Sequence, residues 1–114
     1  MNFYILDKNN QPYNCSMNEW QKFWNTEENA LRRVIGMDLI GDIGIITFFH
    51  KIFEITHEGY EPNLFETIGS DRNTNETLYS ASYKTWEHAL KGHQKAIDWA
   101  FTECNDYYQT PSCR

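Results

Sequence analysis

The side chain best placed to do chemistry is His93. It belongs to a segment, Tyr83 to Cys104, whose apolar or small residues recur with the spacing of one helix face. This predicted buried stripe consists of Trp86, Ala89, Leu90, Ala96, Ile97, Ala100, Phe101 and Cys104. At about 100° per residue the imidazole projects onto the centre of that face, where a polar ring needs a hydrogen-bond partner. Glu66, on a predicted strand, is the natural partner. We consider a His93–Glu66 general base in a small hydrolase, and favour a structural polar contact that ties the helix to the sheet.

The other histidines and the cysteines form no recognisable metal site or catalytic motif. His50, His57, His88 and His93 lack metal-ligand spacing, and residues five apart, such as His88 and His93, face different sides of a helix. The sequence has no motif for acyl transfer, a phosphate loop or dinucleotide binding. Cys15 precedes a helix start, which can lower a thiol pKa, but it has no obvious histidine partner and we interpret it as inert. We therefore predict no metal, no cofactor and no catalytic residue.

Trp99 is the first candidate for contacting another protein. It projects away from the apolar stripe, on the side of the helix that carries His88 and Lys95. Exposed tryptophans are enriched at binding hot spots. Two interpretations stay open: Trp99, His88 and Lys95 form part of an interface, or a terminal segment folds over the indole.

A second candidate surface is an acidic loop. The chain has 16 Asp and Glu against 10 Lys and Arg, a net charge of −6, which disfavours nonspecific binding to nucleic acid or to an anionic membrane. Glu54, Glu58 and Glu61 lie in one stretch with Gly59 and Pro62, and they would complement a basic, nucleic-acid-binding surface on a partner protein. A solvated loop with no binding role is the alternative.

Cysteine usage and hydropathy predict a cytoplasmic protein. Cys15, Cys104 and Cys113 leave one thiol unpaired in any scheme and lack C-x-x-C spacing, which is typical of reduced thiols. A bridge between Cys104 and Cys113 stays open. No stretch approaches the roughly 20 apolar residues that span a bilayer, and the N-terminus lacks the pattern of a signal peptide.

Two helices must position these residues, over about 16–26 and about 85–104. Ser16 followed by Glu19 is a capping-box pattern, and Thr85 is a suitable N-cap for the second helix. The 114 residues fit one domain. We place that domain at 1–104 and expect 105–114 to be a polar, frayed tail.

The rest of the chain predicts an antiparallel sheet. Strands are expected over Asn2–Leu6, about 31–39, Ile43 to about Phe53, Leu64–Ile68 and Thr77–Tyr83. Gly41 and Asp42 between two apolar runs predict a glycine-first hairpin turn. The fold class is therefore α+β: four or five strands with both helices packed on one face.

The strand after this hairpin is apolar on both faces. A sheet covered by helices on one side normally alternates between apolar and polar residues. Either another part of the chain covers the second face, or that face contacts a second copy or another partner. A homodimer through the hydrophobic hairpin is one such arrangement.

Three stretches together resemble a family of small uncharacterised proteins found in tailed-phage and prophage genomes. They are Tyr4 to Asp7 with Pro12 and Trp20, LFET at Leu64 to Thr67, and Y-x-T-W-E-x-A-x-x-G-H from Tyr83 to His93. The resemblance covers roughly residues 3 to 101. It implies a phage context, in the cytoplasm of a host cell, and no activity. The family's Gly/Pro-rich loop is replaced here by a longer, more acidic one, Phe53 to Pro62.

From this context we expect a non-enzymatic phage accessory protein that inhibits a bacterial defence system, such as CRISPR, by binding a protein component. The partner would be a host defence protein with a basic surface. One alternative is a small-ligand protein that sequesters a nucleotide signal of host immunity. Its aromatic residues could stack a base, although Arg32, Arg33, Arg72 and scattered lysines suit a polyphosphate poorly. The second alternative is the hydrolase based on His93 and Glu66.

Overall fold

A computed structural model describes residues 2–50, 53–54 and 62–107, with side chains at 2–50 and 62–103. The elements in chain order are β1 (Asn2–Leu6), β2 (Pro12–Cys15), α1 (Met17–Asn25), α2 (Glu27–Arg32), β3 (Val34–Ile40), β4 (Ile43–Phe49), β5 (Phe53–Glu54), β6 (Phe65–Asp71), β7 (Thr77–Tyr83) and α3 (Trp86–Tyr107).

The strands form two antiparallel sheets. The larger has the order β3-β4-β6-β7, and the smaller has the order β2-β1-β5. The predicted α+β class is confirmed, with four strands in the main sheet. The N-terminal strand β1 is not part of the main sheet. It is the central strand of the smaller sheet. The sequence prediction missed β2, because Pro-Tyr-Asn-Cys carries no alternating apolar pattern.

The β3–β4 hairpin sets the faces of the main sheet. Gly41 has a φ of 59° and Asp42 has no positive φ, so the turn is the predicted glycine-first type. The register pairs Ile40 with Ile43 and Asp38 with Ile45. Asp38 therefore lies on the same face as Ile45, and Met37, one residue earlier, lies on the opposite face.

One face of the main sheet forms the core. Its fully buried side chains alternate along β4 and β6: Ile43, Ile45, Thr47, Phe49, Phe65 and Thr67. α3 contacts all four strands of the sheet and packs on this face through Ala89, Ala96 and Ala100. α1 meets the same face at one end, where Trp24 stacks on Phe49 with ring centroids 5.8 Å apart. Both predicted helices, α1 and α3, thus lie on one side of the main sheet.

The predicted caps start both helices. Ser16 and Glu19 form a reciprocal capping box at α1. At α3 the Thr85 hydroxyl accepts a hydrogen bond from the His88 backbone N–H at 3.1 Å. α3 continues to Tyr107 rather than ending at Cys104, so residues 105–107 of the predicted tail belong to the helix. The rest of that prediction, 108–114, lies outside the described residues.

The buried side of α3 is rotated relative to the predicted stripe. Ala89, Ala96 and Ala100 are buried as predicted, but Leu90 and Phe101 are 48% and 53% exposed. Trp99, predicted to face solvent, is half-buried against Tyr79, with ring centroids 4.9 Å apart. The helix therefore turns its Trp99 side towards β7.

Glycine explains this rotation. Gly69 of β6 leaves space for the indole, because a Cβ atom there would lie 3.3 Å from Cζ3 of Trp99. Gly92 of α3 lies against the Tyr83 ring, and a Cβ atom on Gly92 would come within 2.1 Å of it. Helix and sheet approach closely on the β7 side.

The other face of the main sheet carries apolar side chains, as predicted. Met37 and Leu39 are 69% and 54% exposed, and Ile46, Phe48 and Ile68 are half-buried. α3 packs on the opposite face. We call this surface the open face.

Candidate functional site

His93 is the centre of a buried hydrogen-bond chain. Its Nδ1 lies 2.6 Å from Oγ1 of Thr47, and that oxygen lies 2.5 Å from Oγ1 of Thr67. On the other side of the ring, Nε2 lies 2.7 Å from Oδ2 of Asp38. The chain Asp38–His93–Thr47–Thr67 joins α3 to three neighbouring strands.

One arrangement of protons satisfies the whole chain. An ionised Asp38 can only accept, so His93 Nε2–H donates to it. Nδ1 then accepts from the Thr47 hydroxyl, which in turn accepts from the Thr67 hydroxyl. Because Thr47 and Thr67 are both 0% exposed, each unmade bond would leave a polar group buried without a partner. The histidine therefore stabilises the helix–sheet contact.

The hydrogen-bond chain is unsuited to hydrolysis, because its hydroxyl is buried and its carboxylate is exposed. A nucleophilic triad aligns a carboxylate, a histidine and a hydroxyl, and its hydroxyl must reach the substrate. Here the hydroxyl of Thr47 is inaccessible, whereas the carboxyl side chain of Asp38 is 46% exposed. The arrangement supplies a structural network and no accessible nucleophile.

The predicted His93–Glu66 pair does not form. Glu66 instead lies 3.4 Å from Nε2 of His50. Glu66 shares a face of β6 with Ile68, whereas α3 covers the alternate face, which carries Phe65 and Thr67. The helix–sheet contact through His93 exists with different partners, and the hydrolase built on this pair loses its geometry.

A groove runs between α3 and β7. It has a volume of about 370 Å³ and is lined by Tyr79, Ala81, Tyr83, His88, Lys91, Gly92 and Lys95. We call it the α3–β7 groove. It brings together two of the predicted binding residues, His88 and Lys95, which are exposed. The third, Trp99, lies beside the groove against Tyr79 rather than on the surface.

Lys91, Tyr83 and Gly92 were missed as site residues, although the sequence contains a signal for them. His88, Lys91 and Lys95 follow the i, i+3, i+7 spacing of one helix side. Tyr83 shares one strand face with Tyr79 and Ala81. What the sequence does not contain is that this strand face and this helix side meet.

The open face contains a shallow depression of about 670 Å³. Apolar side chains of Met37, Leu39 and Ile46 form part of its lining, and Ser70, Arg72 and Asn75 form another part. The Arg72 side chain lies over Gly44, where a Cβ atom would be 3.6 Å from its Cγ. Among the described residues, the Arg72 guanidinium has no carboxylate within salt-bridge distance.

The acidic-loop prediction falls largely outside the described residues. Glu58, Glu61 and Cys113 are outside the described residues. Glu54 belongs to β5, where it pairs with Asn2 of β1.

Cys15 is a free thiol. Burial, followed by the nearby Glu19 carboxylate, raises its pKa. The lowered thiol pKa that a helix start can produce is therefore not realised here, which agrees with an inert cysteine.

The described residues contain neither a metal-binding cluster nor a helix suited to crossing a membrane. No group of three His, Cys, Asp or Glu side chains among them is arranged to hold a metal ion. None of the helices in residues 2–50 and 62–107 is long and apolar enough to cross a membrane.

No protein-family model, curated protein or solved structure matches this chain. The resemblance of its motifs to phage proteins therefore stays a prediction, and functional inference rests on the geometry described above.

Proposed function

We propose that this chain is a non-enzymatic accessory protein of phage type that inhibits a bacterial defence system, such as CRISPR, by binding one of its protein components. The binding element is the edge strand β3, which accepts an extended segment of the partner as an additional strand. The resemblance of three stretches of the sequence to phage proteins is the support for the setting. The main support for this binding mode is that the backbone N–H and C=O groups of Met37 and Leu39 point away from β4.

The hairpin geometry determines which backbone groups β3 offers. In a two-residue hairpin the pair that flanks the turn, Ile40 and Ile43, is hydrogen-bonded. Asp38 and Gly36 then bond towards β4, and the N–H and C=O groups of Met37 and Leu39 point away from it. β3 is the terminal strand of its sheet. Such a row of backbone groups is a template for another strand.

β3 has little of the usual protection of an exposed edge from Met37 onwards, because its β-bulge lies before this segment, between Val34 and Gly36. Edge strands commonly carry lysine or proline, or are very short. β3 is seven residues long, contains neither lysine nor proline, and its only charged side chain is Asp38. Exposed Met37 and Leu39 add apolar area beside backbone groups that have no strand partner within residues 2–50, 53–54 and 62–107.

The surroundings define the chemistry of the incoming segment. Side chains of an added strand alternate between the two faces of the sheet. On the open face they would contact Met37 and Leu39, which favours apolar residues. On the other face they would lie beside Asp38, whose carboxyl is half-exposed and favours Lys or Arg. The partner is thus a protein with an extended, alternately apolar and basic segment, consistent with the net charge of −6.

A second copy of the chain fits this edge less well. Antiparallel pairing of two β3 strands that places Met37 opposite Leu39 also places Asp38 opposite Asp38 of the second copy. Like charges directly opposite one another are destabilising. This register therefore disfavours self-association, whereas a basic partner has no such repulsion.

A plating assay tests this proposal. We expect expression of the chain to raise the plating efficiency of a phage on a strain whose CRISPR system targets it. Met37→Pro should abolish this effect, because proline removes an outward N–H while leaving the bonds to β4 intact. Met37→Val, which keeps both the N–H and an apolar side chain, should retain it.

Two results would overturn the proposal. One is no protection against any of a panel of defence systems. The other is equal protection by Met37→Pro and Met37→Val when circular dichroism shows that both variants are folded. A dimeric mass in solution that becomes monomeric only in Met37→Pro would assign the edge to self-association instead.

A further inference from the structure

We infer that the α3–β7 groove binds a nucleoside phosphate, a ligand that combines an anionic group with a planar ring. This site lies at the β7 side of the sheet, opposite the β3 edge in strand order. It is independent of the proposed protein-binding function.

The anionic part of the ligand is indicated by a local concentration of nitrogen donors, two lysine ammonium groups and one imidazole. His88, Lys91 and Lys95 lie on one side of α3 and all three are exposed. No Asp or Glu lines the groove, and among the described residues neither lysine has a carboxylate within salt-bridge distance. Lys91 and Lys95 therefore give the groove lining a local positive charge in a chain of net charge −6, and such a charge attracts phosphate. Glu87 and Asp98 lie one helical turn away, outside the lining.

The planar part is indicated by the aromatic wall. The rings of Tyr79 and Tyr83 line the groove, and Tyr79 is held in place by Trp99 behind it. Aromatic side chains that face a cationic groove are the usual platform on which proteins stack nucleic-acid bases.

The Tyr83 hydroxyl is an independent indication of a ligand. It is buried, and it has no hydrogen-bond partner among the described residues. It lies against Gly92, where a Cβ atom would be 2.2 Å from the oxygen. Buried hydroxyls normally have a partner. Because this oxygen is closed off from solvent, a ligand atom in the groove would become its partner through a shift of the Tyr83 ring on binding.

The size of the groove limits the ligand. Its volume of about 370 Å³ is at the lower end of the range for small-molecule sites, and it suits one nucleotide rather than a larger compound. Two of the six lysines of the chain, Lys91 and Lys95, lie together at this groove and support a nucleotide-binding role.

Isothermal titration calorimetry with AMP, ATP and inorganic phosphate tests this inference. We expect both nucleotides to bind more tightly than phosphate alone, because the ring adds contacts with the tyrosines. The variant Lys91→Gln/Lys95→Gln should weaken nucleotide binding by about tenfold or more, since it removes two cationic contacts. Lys22→Gln, which removes an exposed lysine on α1, is the matched control and should bind like the parent chain.

Tyr83→Phe separates the hydroxyl from the ring. We expect it to weaken AMP binding severalfold while leaving phosphate binding unchanged. The inference is wrong if the nucleotides do not bind, bind no better than phosphate, or bind equally well to Lys91→Gln/Lys95→Gln when denaturation shows that the variant is folded. Met37→Pro should bind AMP normally, so failure of the protein-binding proposal and failure of this site are distinguishable.

Discussion

Gly36 of β3 lies directly against the imidazole of His93 on α3. A Cβ atom on Gly36 would be 2.6 Å from Nε2 of His93 and 2.9 Å from Cε1. The absence of a side chain at this position lets the ring lie close to the strand. From there the ring reaches Asp38 on β3 and Thr47 on β4 at the same time. The hydrogen-bond chain therefore depends on the absence of a side chain at Gly36.

Substituting Gly36 with alanine should destabilise the protein by roughly 1–3 kcal/mol, the usual cost of overpacking a core contact. The added methyl group must displace His93 and with it the bonds to Asp38 and Thr47. Urea denaturation followed by circular dichroism measures the change. Gly44→Ala is the matched control, because its Cβ atom would meet only the Arg72 side chain at an ordinary 3.6 Å. Equal stability of the two variants would contradict the contact.

The position of Thr47 in the middle of the hydrogen-bond chain predicts an order of costs. Thr47→Val should cost about 1–3 kcal/mol, because it leaves His93 Nδ1 without a partner. Thr67→Val should cost less, about 0.5–1.5 kcal/mol, because Thr47 can still donate to His93. Denaturation of both single variants and of the double variant gives their coupling. A larger loss of stability for Thr67→Val than for Thr47→Val would contradict this order of hydrogen bonds.

Local sequence patterns predicted much of this fold, and their limit is visible at His93. The hairpin turn at Gly41, the caps at Ser16 and Thr85 and strand β7 follow from neighbouring residues. The partners of His93 do not, because Thr47 and Asp38 are 46 and 55 positions away. Strand alternation separates two faces, but it does not say which of them a helix covers.

The same limit explains the rotation of α3. A helical pattern of apolar residues predicted Leu90 and Phe101 inside and Trp99 outside. The actual orientation depends on Gly69, a glycine on a distant strand that makes space for an indole. Helical periodicity contains no information about that strand. The α3–β7 groove was missed for the same reason.

The raised pKa of Cys15 predicts slow alkylation. A half-buried thiol whose pKa is raised is a poor nucleophile. Iodoacetamide should therefore label Cys15 more slowly in the folded protein than in urea near pH 8, as peptide mapping by mass spectrometry can show. The folded protein holds the thiol proton more tightly than the unfolded chain. This stabilising contribution is complete below the unfolded thiol pKa of about 8.5 and is lost as the pH rises through the higher folded value. Faster labelling in the folded state would contradict the raised pKa.

Tyr83→Phe should leave the free protein as stable as the parent chain, or more stable. The substitution removes a buried hydroxyl that has no partner among the described residues and keeps the ring that packs on Gly92. Removing an unsatisfied polar group costs nothing in hydrogen bonding and relieves its desolvation penalty. Thermal denaturation without ligand measures the effect. A loss above about 1 kcal/mol would show that the hydroxyl is bonded in the folded state.

Trp99 and Leu90 distinguish the observed orientation of α3 from the one its sequence suggests. Trp99→Ala should cost about 2–3 kcal/mol, somewhat less than a fully buried tryptophan, because it removes the packing against Tyr79 and above Gly69. Leu90→Ala should change stability by no more than about 0.5 kcal/mol, since Leu90 is 48% exposed and alanine favours a helix. Urea denaturation of the two variants side by side provides the comparison. The opposite order, a costly Leu90→Ala and a neutral Trp99→Ala, would restore the predicted stripe and remove Tyr79 and Trp99 from the wall of the groove.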